Sequence, residues 1–436
     1  MKKLWQKENG PLADVERFTV GRDREMDLYL AKYDIIGSLA HAEMLRSVGL
    51  LRENEATLLY DALNTLLGQV ENGLFTLEDG VEDVHSQVEL LLTRMVGDAG
   101  KNIHIGRSRN DQVLTDIKLF LRHEIVVLAQ NTETFFHALI AQSERFKQHL
   151  MPGYTHFQVG MVSSFGMWFG AYAEALCEDL YSLEAAYRLA NKNPLGSAAG
   201  YGSSFPLDRA LTTRLLDFEQ PHVNALNAQM SRGKTEKFVA QALANIAATL
   251  TKMAYDCCMF MSSDMAFMRF PDELTTGSSI MPHKKNPDVF ELVRARCNSL
   301  QALPNEIVLM TNNLPSGYHR DFQLIKEKIF PAFEVLNDCL RMMQMMLERV
   351  EIQDRILEQE KYKYLFTVEE INRLFLSGVP FRDAYRQVGA AVEEGRFERP
   401  EMLPHTHLGS IGNLGNEQIL AQMAEIMAVF KPASQG

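Results

Sequence analysis

Apolar side chains recur at steps of three and four residues along two long stretches of this chain. One stretch runs from Ile117 to Leu150 and the other from Val239 to Phe260. Both fit a seam that repeats every seven residues, which is typical of helices packed side by side in bundles. A helix of about 35 residues is about 50 Å long, more than the width of a small domain. The spacing therefore predicts two long helices that need partners to bury their apolar faces.

The segments between the helical stretches are rich in glycine, proline and serine, and they comprise residues 193–206, 271–287 and 312–317. Alternating runs of Val, Ile and Thr, which would indicate strands, are sparse. Proline is absent between Leu12 and Met151, which permits long helices there. The methionine-rich segment 341–347 is typical of helix packing, not of a metal site. We therefore predict a mostly α-helical fold.

The length and composition restrict the class of protein. A chain of 436 residues is too long for one compact core, so we expect two or three domains. A net charge of −12 without a basic run argues against a nucleic-acid partner, although cations can still cluster locally around an anionic substrate. No apolar run reaches the roughly 18 residues that span a bilayer, and the first ten residues lack the pattern of a secretory signal.

The five cysteines are scattered among apolar residues and lack the spacing of a zinc site. We interpret them as buried free thiols, neither disulfide-bonded nor metal-bound. The expected compartment is therefore reducing, and we expect a cytoplasmic protein without membrane contact.

Residues 103–116, IHIGRSRNDQVLTD, form a polar segment that a helical bundle does not need. Two arginines flank Ser108 immediately before the first long helix. Arginine matches carboxylates through paired hydrogen bonds, and a helix start offers unpaired N–H groups to an anion. An anion site and a solvated helix cap at Asn110 or Asp111 are equal alternatives for this segment.

Residues 152–158, PGYTHFQ, place Thr155 and His156 in a Pro/Gly turn between two predicted helices. Histidine titrates near neutral pH, so His156 is a candidate general acid or base. A lone histidine in a loop is more often simply exposed, and this segment alone decides nothing.

Residues 275–287, TTGSSIMPHKKNP, contain a glycine, two adjacent serines, two adjacent lysines and two prolines. Glycine and proline at this density indicate a loop that can adopt unusual backbone angles. Such a loop can close over a ligand and bring its lysines to a carboxylate.

Residues 314–326 enter a further predicted helix, where Tyr318, Gln323 and Lys326 can converge on one side. An amphipathic surface is the alternative interpretation of this segment.

Within these segments, GSSIMPHKKNP at residues 277–287 resembles the signature of the fumarase/aspartase superfamily. Other stretches are similar to the argininosuccinate lyase family within it, and the match extends from KLW near the start to about residue 390. These stretches are HIGRSRNDQV, PGYTHFQ, NPLGSAAGYGSSFPLDR, LPSGYHRDFQ and SGVPFRDAYRQVGAAV.

The resemblance implies a fumarase/aspartase-like fold of three mostly helical domains. We place them at residues 1–106, 107–359 and 360–436, with the long helices in the central domain. In the family, these helices form a twenty-helix core in a homotetramer, and each active site combines segments of three subunits. Four polar motifs so far apart in sequence fit such a shared site.

The implied reaction needs no cofactor or metal, and it releases fumarate from argininosuccinate to leave arginine. Ser278 resembles the family's base, which removes a proton beside a carboxylate to give a carbanion-like aci-carboxylate. His156 resembles the proton donor and Glu291 its carboxylate partner. Because the intermediate carries a second negative charge, fixed cations and aimed donors must stabilise it. The candidates are Lys284 and Asn286 of the loop, together with Ser108, Arg109 and Asn110.

The remaining site residues that the resemblance implies bind the substrate or stabilise its charge, and His85 in EDVHSQVE is a possible support for the site. The binding residues are Ser108, Arg109, Asn110, Thr155, Asn286, Tyr318, Gln323 and Lys326.

Several positions depart from the family pattern and leave alternatives open. His283 stands where glutamine is usual and is similar to the pattern of adenylosuccinate lyases. The family's Gly-Gly-Arg-Phe stretch is missing near the start, Ile105 replaces a common threonine, and a substrate-binding serine has no clear counterpart. Another lyase of the superfamily, or a non-catalytic protein like some lens crystallins, is therefore an alternative. The segments around Arg109 and Tyr318 favour the argininosuccinate family.

Overall fold

The computed structural model describes residues 13–430, and this part of the chain is mostly α-helical. Its α-helices are α1 (Ala13–Val20), α2 (Asp23–Asp27), α3 (Ala31–Ser47), α4 (Glu53–Glu71), α5 (Val84–Val96), α6 (Asp98–Lys101), α7 (Arg109–Arg145), α8 (Phe165–Ala190), α9 (Arg209–Leu215), α10 (Ala225–Met230), α11 (Lys234–Met261), α12 (Asp288–Leu300), α13 (Leu303–Thr311), α14 (Lys326–Glu348), α15 (Thr367–Leu376), α16 (Phe381–Glu393) and α17 (Asn416–Met427). Short 3-10 helices connect several of them, and one at Arg320–Ile325 leads directly into α14. Residues 1–12, which include the KLW match, and residues 431–436 lie outside the described residues, so each terminal domain is described only in part.

The strands of the described chain are short and form three two-stranded sheets. The pairs are β1 (Leu150–Thr155) antiparallel to β2 (Gln158–Ser164), β3 (Lys192–Asn193) parallel to β4 (Gln220–Pro221), and β5 (Met268–Arg269) antiparallel to β6 (Glu351–Ile352).

The two predicted long helices are confirmed as α7 and α11, which contain 37 and 28 residues. They pack with α8, α12 and α14 around one apolar core. The seam residues Ile117, Leu121 and Ile125 are at most 2% exposed because the neighbouring helices cover them. Burial of this stripe, more than helix propensity, stabilises helices of this length.

The first seam is shorter than predicted, because α7 ends at Arg145 and Leu150 lies in β1. A two-residue turn at His156 and Phe157 joins β1 to β2. The sequence predicted a turn between two helices here, whereas the structure has a β-hairpin between them. The strand pairing shifts between Pro152 and Tyr154. Proline lacks the N–H that a regular ladder needs, which accounts for the irregularity there.

The start of α7 is capped differently from the sequence prediction. Ser108 is the N-cap, and its backbone N–H donates to Asp111 Oδ1 at 2.8 Å. The prediction of Asn110 or Asp111 as the cap was therefore wrong. Asp111 instead closes a capping box, and its other oxygen accepts from Gly196 N and Ala198 N at 2.9 Å each. These bonds attach the start of α7 to the loop at residues 194–206.

A second apolar core joins α3, α4 and α5. All five cysteines are free thiols, four of them buried, as predicted. Met343 and Met346 are at most 1% exposed within α14, which confirms the packing role of the methionine-rich segment. Among residues 13–430, the helices are too short or too polar to cross a bilayer.

Candidate active site

Six of the residues singled out in the sequence line one cavity, although they come from three separate segments. The cavity has a volume of about 190 Å³ and lies between α2, the start of α5, the start of α7 and the start of α14. The six residues are His85, Arg109, Asn110, Tyr318, Gln323 and Lys326. The convergence predicted for the last three is confirmed.

Lys326 lies at the base of the cavity and is 4% exposed. Its ammonium contacts Asp23 Oδ1 at 2.5 Å and pairs equally closely with Asp27. Burial raises the pKa of Asp23 to about 6, although Lys326 favours the ionised carboxylate. Two carboxylates of the same chain therefore already balance the charge of Lys326.

Two arginines of the cavity also have carboxylate partners within the chain. Arg109 Nη1 lies 3.2 Å from Asp83 Oδ2, and its Nη2 donates to Ser86 Oγ at 2.6 Å. Arg320 Nη2 donates to Glu82 Oε1 at 3.0 Å. These partners orient both guanidinium groups. Acidic and basic side chains therefore lie next to one another along this side of the cavity.

Gln323 has a similar structural partner. Its Nε2 donates to the carbonyl oxygens of Thr19 and Val20 at 3.0 and 3.1 Å. The side-chain amide therefore holds the end of α1 against the cavity.

His85 lies beneath the cavity wall in the first turn of α5. Its Nδ1 is 2.7 Å from Asp34 Oδ1 and 3.5 Å from Asp116 Oδ2, and all three side chains are buried. Burial opposes the charged imidazolium, but Asp34, Asp116 and Asp83 together raise the pKa of His85 to about 10. The ring is therefore a cation that joins α5 to α3 and α7.

The same three residues also have the geometry of a metal site, since their ligand atoms all lie within 4.8 Å of one another. With its pKa raised to about 10, the His85 ring holds both its protons near neutral pH, and its Nδ1 donates to Asp34 Oδ1. The protonated histidine offsets the charge of Asp34, whereas burial raises the pKa of Asp116 well above its usual value.

The serine-rich loop lies between α11 and α12 and is closed at its base. Asn286 N donates to Thr276 O at 2.8 Å, and Asn286 Nδ2 contacts Gly277 O at 3.3 Å. At its tip, Ser278 Oγ accepts from the backbone N–H groups of Ile280 and Met281 at 3.4 and 3.2 Å. These contacts form a local serine turn, which orients the Ser278 hydroxyl within the loop.

Lys284, Asn286 and Glu291 line a second, larger cavity of about 1080 Å³ beneath this loop. Lys284 and Glu291 are exposed, and Glu291 lies in the first turn of α12. The closest cation to Glu291 on its own helix is Arg294, at 3.9 Å.

Thr155 and His156 lie at the exposed tip of the β1–β2 hairpin. His156 and Phe157 have φ angles of 54° and 59°, as a tight hairpin turn requires. A left-handed conformation is unfavourable for a bulky residue such as Phe157, whose side chain is also 73% exposed.

The structure thus places the expected catalytic residues, the substrate-binding Asn286 and the supporting His85 in three regions of one chain. His156 and Ser278 line neither of the two cavities, whereas Lys284, Asn286 and Glu291 line one and His85 lines the other. Ser108 caps the helix that carries Arg109 and Asn110.

Sequence reasoning missed seven cavity residues, which are Asp23, Asp27, Glu82, Asp83, Val113, Arg232 and Arg320. Asp23 and Asp27 are four residues apart, which places both carboxylates on one side of a helix. That spacing was a usable signal, but their partner Lys326 lies about 300 positions away and only the fold brings it near.

Solved structures place this fold among the fumarate lyases. A crystal structure of EDDS lyase in complex with formate aligns with a TM-score of 0.77 at 20% identity, over 97% of this chain and 91% of that one. A class II fumarase from Schistosoma mansoni aligns with a TM-score of 0.73 at 16% identity, over 99% and 98%. At such low identity these likenesses establish the fold alone.

Sequence comparison narrows the class further. A family model described as lyase matches residues 15–301. An argininosuccinate lyase of Bacteroides thetaiotaomicron is 58% identical over 428 residues, which is 98% of this chain and 96% of the relative. One of Thermotoga neapolitana is 38% identical over 386 residues, or 88% and 97%. The chain belongs to the argininosuccinate lyase family.

Proposed function

We propose that this protein eliminates fumarate from argininosuccinate and releases L-arginine. The observation that carries the proposal is the 58% identity to a relative named argininosuccinate lyase over 98% of the chain. The presence of Ser278, His156 and Lys284 supports an enzyme more than a crystallin-like protein. The arginine biosynthetic role and a cytoplasmic location follow from the same proposal.

Ser278 acts as the base in this proposal. Its alkoxide is stabilised by the N–H groups of Ile280 and Met281, which already point at the hydroxyl oxygen. It removes the proton beside a substrate carboxylate, and the resulting aci-carboxylate carries two negative charges. Lys284 and the amide of Asn286 stabilise that charge when the loop closes over the substrate.

His156 protonates the departing guanidino nitrogen, with Glu291 as its carboxylate partner. Since these residues lie in separate regions of one chain, the proposal includes a homotetramer whose active sites combine subunits. Exposed aromatic side chains on the long helices support further association, since Tyr181 on α8 and Phe238 and Tyr255 on α11 are 42–54% exposed. The three-domain division at residues 106 and 359 remains part of this proposal.

The test is to add purified protein to argininosuccinate, and separately to adenylosuccinate, and to follow the ultraviolet absorbance of fumarate. We expect turnover of argininosuccinate and none of adenylosuccinate. Preference for adenylosuccinate would assign the chain to the alternative that His283 suggested, and inactivity with both would favour a non-catalytic protein.

A further inference from the structure

The turn that carries His156 has a backbone conformation that its own residues do not favour. His156 and Phe157 both have positive φ angles, and neither is a glycine or an asparagine. The residues from Thr155 to Gln158 are all exposed, so packing around the tip does little to hold it. Such a conformation persists only when the surrounding structure enforces it. The turn therefore takes its geometry from contacts at the base of the hairpin.

Tyr154 makes such a contact immediately before the exposed tip. It pairs with Val159 across the hairpin, and its hydroxyl shares a long hydrogen bond of 3.4 Å with the hydroxyl of Tyr362, 208 positions away along the chain. Burial raises the pKa of Tyr154, and the Tyr362 hydroxyl adds to the rise. Because Tyr154 stays neutral near pH 7, it is suited to orienting the hairpin and unsuited to proton transfer.

Tyr362 is itself held in place from several sides. It lies in the 3-10 helix Glu360–Phe366 and is 2% exposed. Its ring meets the ring of Phe267 edge to face, with 6.3 Å between the centroids. The Lys361 ammonium lies 5.0 Å from the centre of the same ring. Close packing of this kind gives the phenolic oxygen one position, so the Tyr362 hydroxyl is a fixed anchor for Tyr154.

The hairpin packs on two consecutive 3-10 helices of this part of the chain. β1 contacts Ile356–Glu358, and β2 contacts Glu360–Phe366. Within residues 13–430, the bond between the two tyrosines is the one side-chain hydrogen bond that joins the hairpin to these helices. Apolar packing has little directional preference, whereas a hydrogen bond depends on direction. The tyrosine pair is therefore the contact that sets the orientation of the hairpin.

From these contacts we infer that Tyr362 is a positioning residue for His156, because it fixes, through Tyr154, the hairpin that carries the imidazole. The inference rests on the proposed function, in which His156 protonates the departing nitrogen, and Tyr362 lies outside the motifs that the sequence analysis singled out. A displaced proton donor still permits substrate to bind but transfers its proton more slowly. Loss of the Tyr362 hydroxyl should therefore lower kcat and leave KM nearly unchanged.

The test measures kcat and KM separately for fumarate release from argininosuccinate by wild type and Tyr362→Phe. We expect kcat to fall by about three- to tenfold, the range of a single hydrogen bond, and KM to change by less than about twofold. Tyr154→Phe should give the same loss, and the double variant should lose no more than either single variant, because both changes remove the same bond. Tyr364→Phe is the matched control, since Tyr364 lies on the same 3-10 helix but is 45% exposed. It should leave kcat and KM unchanged.

Normal kcat in Tyr362→Phe, while the wild type turns over argininosuccinate, would overturn the inference alone. A double variant whose loss is the product of the two single losses would do the same, because the two hydroxyls would then act independently. A raised KM with unchanged kcat would assign Tyr362 to substrate binding and would also overturn it. If Tyr362→Phe fails to fold, as judged by circular dichroism, Tyr154→Phe decides, because Tyr154 is only half-buried. Absence of fumarate release by the wild type would refute the proposed function and, with it, the role of His156.

Discussion

Replacing His85 by glutamine tests the interpretation of this ring as a buried cation. The substitution removes the positive charge between Asp34 and Asp116 but retains a polar side chain of similar size. A rise in the pKa of His85 from 6.5 to about 10 in the folded chain corresponds to about 4 kcal/mol of stabilisation at pH 6.5 and to about 1 kcal/mol at pH 9.5. Removing one partner of a buried charge pair costs about 3–5 kcal/mol, which agrees with the first figure.

The sign of the pH dependence follows from the direction of that shift. Since the folded pKa of His85 is raised, its stabilising contribution is fully present below about pH 6.5 and is lost as the pH rises through about 10. The free-energy difference of unfolding between wild type and His85→Gln should therefore be large at pH 6.5 and small at about pH 9.5. Urea unfolding followed by circular dichroism, at one fixed protein concentration, measures that difference.

His123→Gln is the matched control, because His123 lies on α7 next to Tyr33 and has no carboxylate partner among the described contacts of its ring. It should change the free energy of unfolding by less than about 1 kcal/mol at either pH. A loss of similar size at both pH values for His85→Gln would refute the reasoning, because the ring would then contribute by packing and not by charge.

Three further predictions concern catalysis and a second buried charge. Ser278→Ala should lower turnover by about 1000-fold or more while substrate still binds, and Ser279→Ala should not; near-normal turnover of Ser278→Ala would place the base elsewhere. Inactive His156→Asn and Ser278→Ala proteins should regain some activity after subunit exchange, and no recovery in verified mixed oligomers would count against a shared site. Because Lys118 is fully buried and its folded pKa is depressed to about 7, its protonation destabilises the fold, and this part of the stability should rise with pH from about 7 to its unfolded value of 10.5. Lys118→Met should abolish that rise in urea unfolding, and an unchanged pH profile would show that the lysine is not buried as described.

The local sequence determined the helices and the residue types of the site. The seven-residue seams specified α7 and α11 because any helix with that stripe must bury it, whatever it packs against. The glycine and proline pattern around Ser278 specified an irregular loop, and the match of its letters to a known signature specified the reaction class. The error at the start of α7 was small, because Ser108, Asn110 and Asp111 all suit a helix cap.

Only the tertiary structure decided which charges face one another. Lys326 meets Asp23 and Asp27 across about 300 residues of chain, and His85 meets Asp34 and Asp116 on two other helices. A sequence specifies such residues one by one, but the free energy of a charge depends on its burial and on the distance to its partners. For that reason the sequence indicated that Lys326 belongs to the site, while the fold showed that Asp23 and Asp27 already balance its charge.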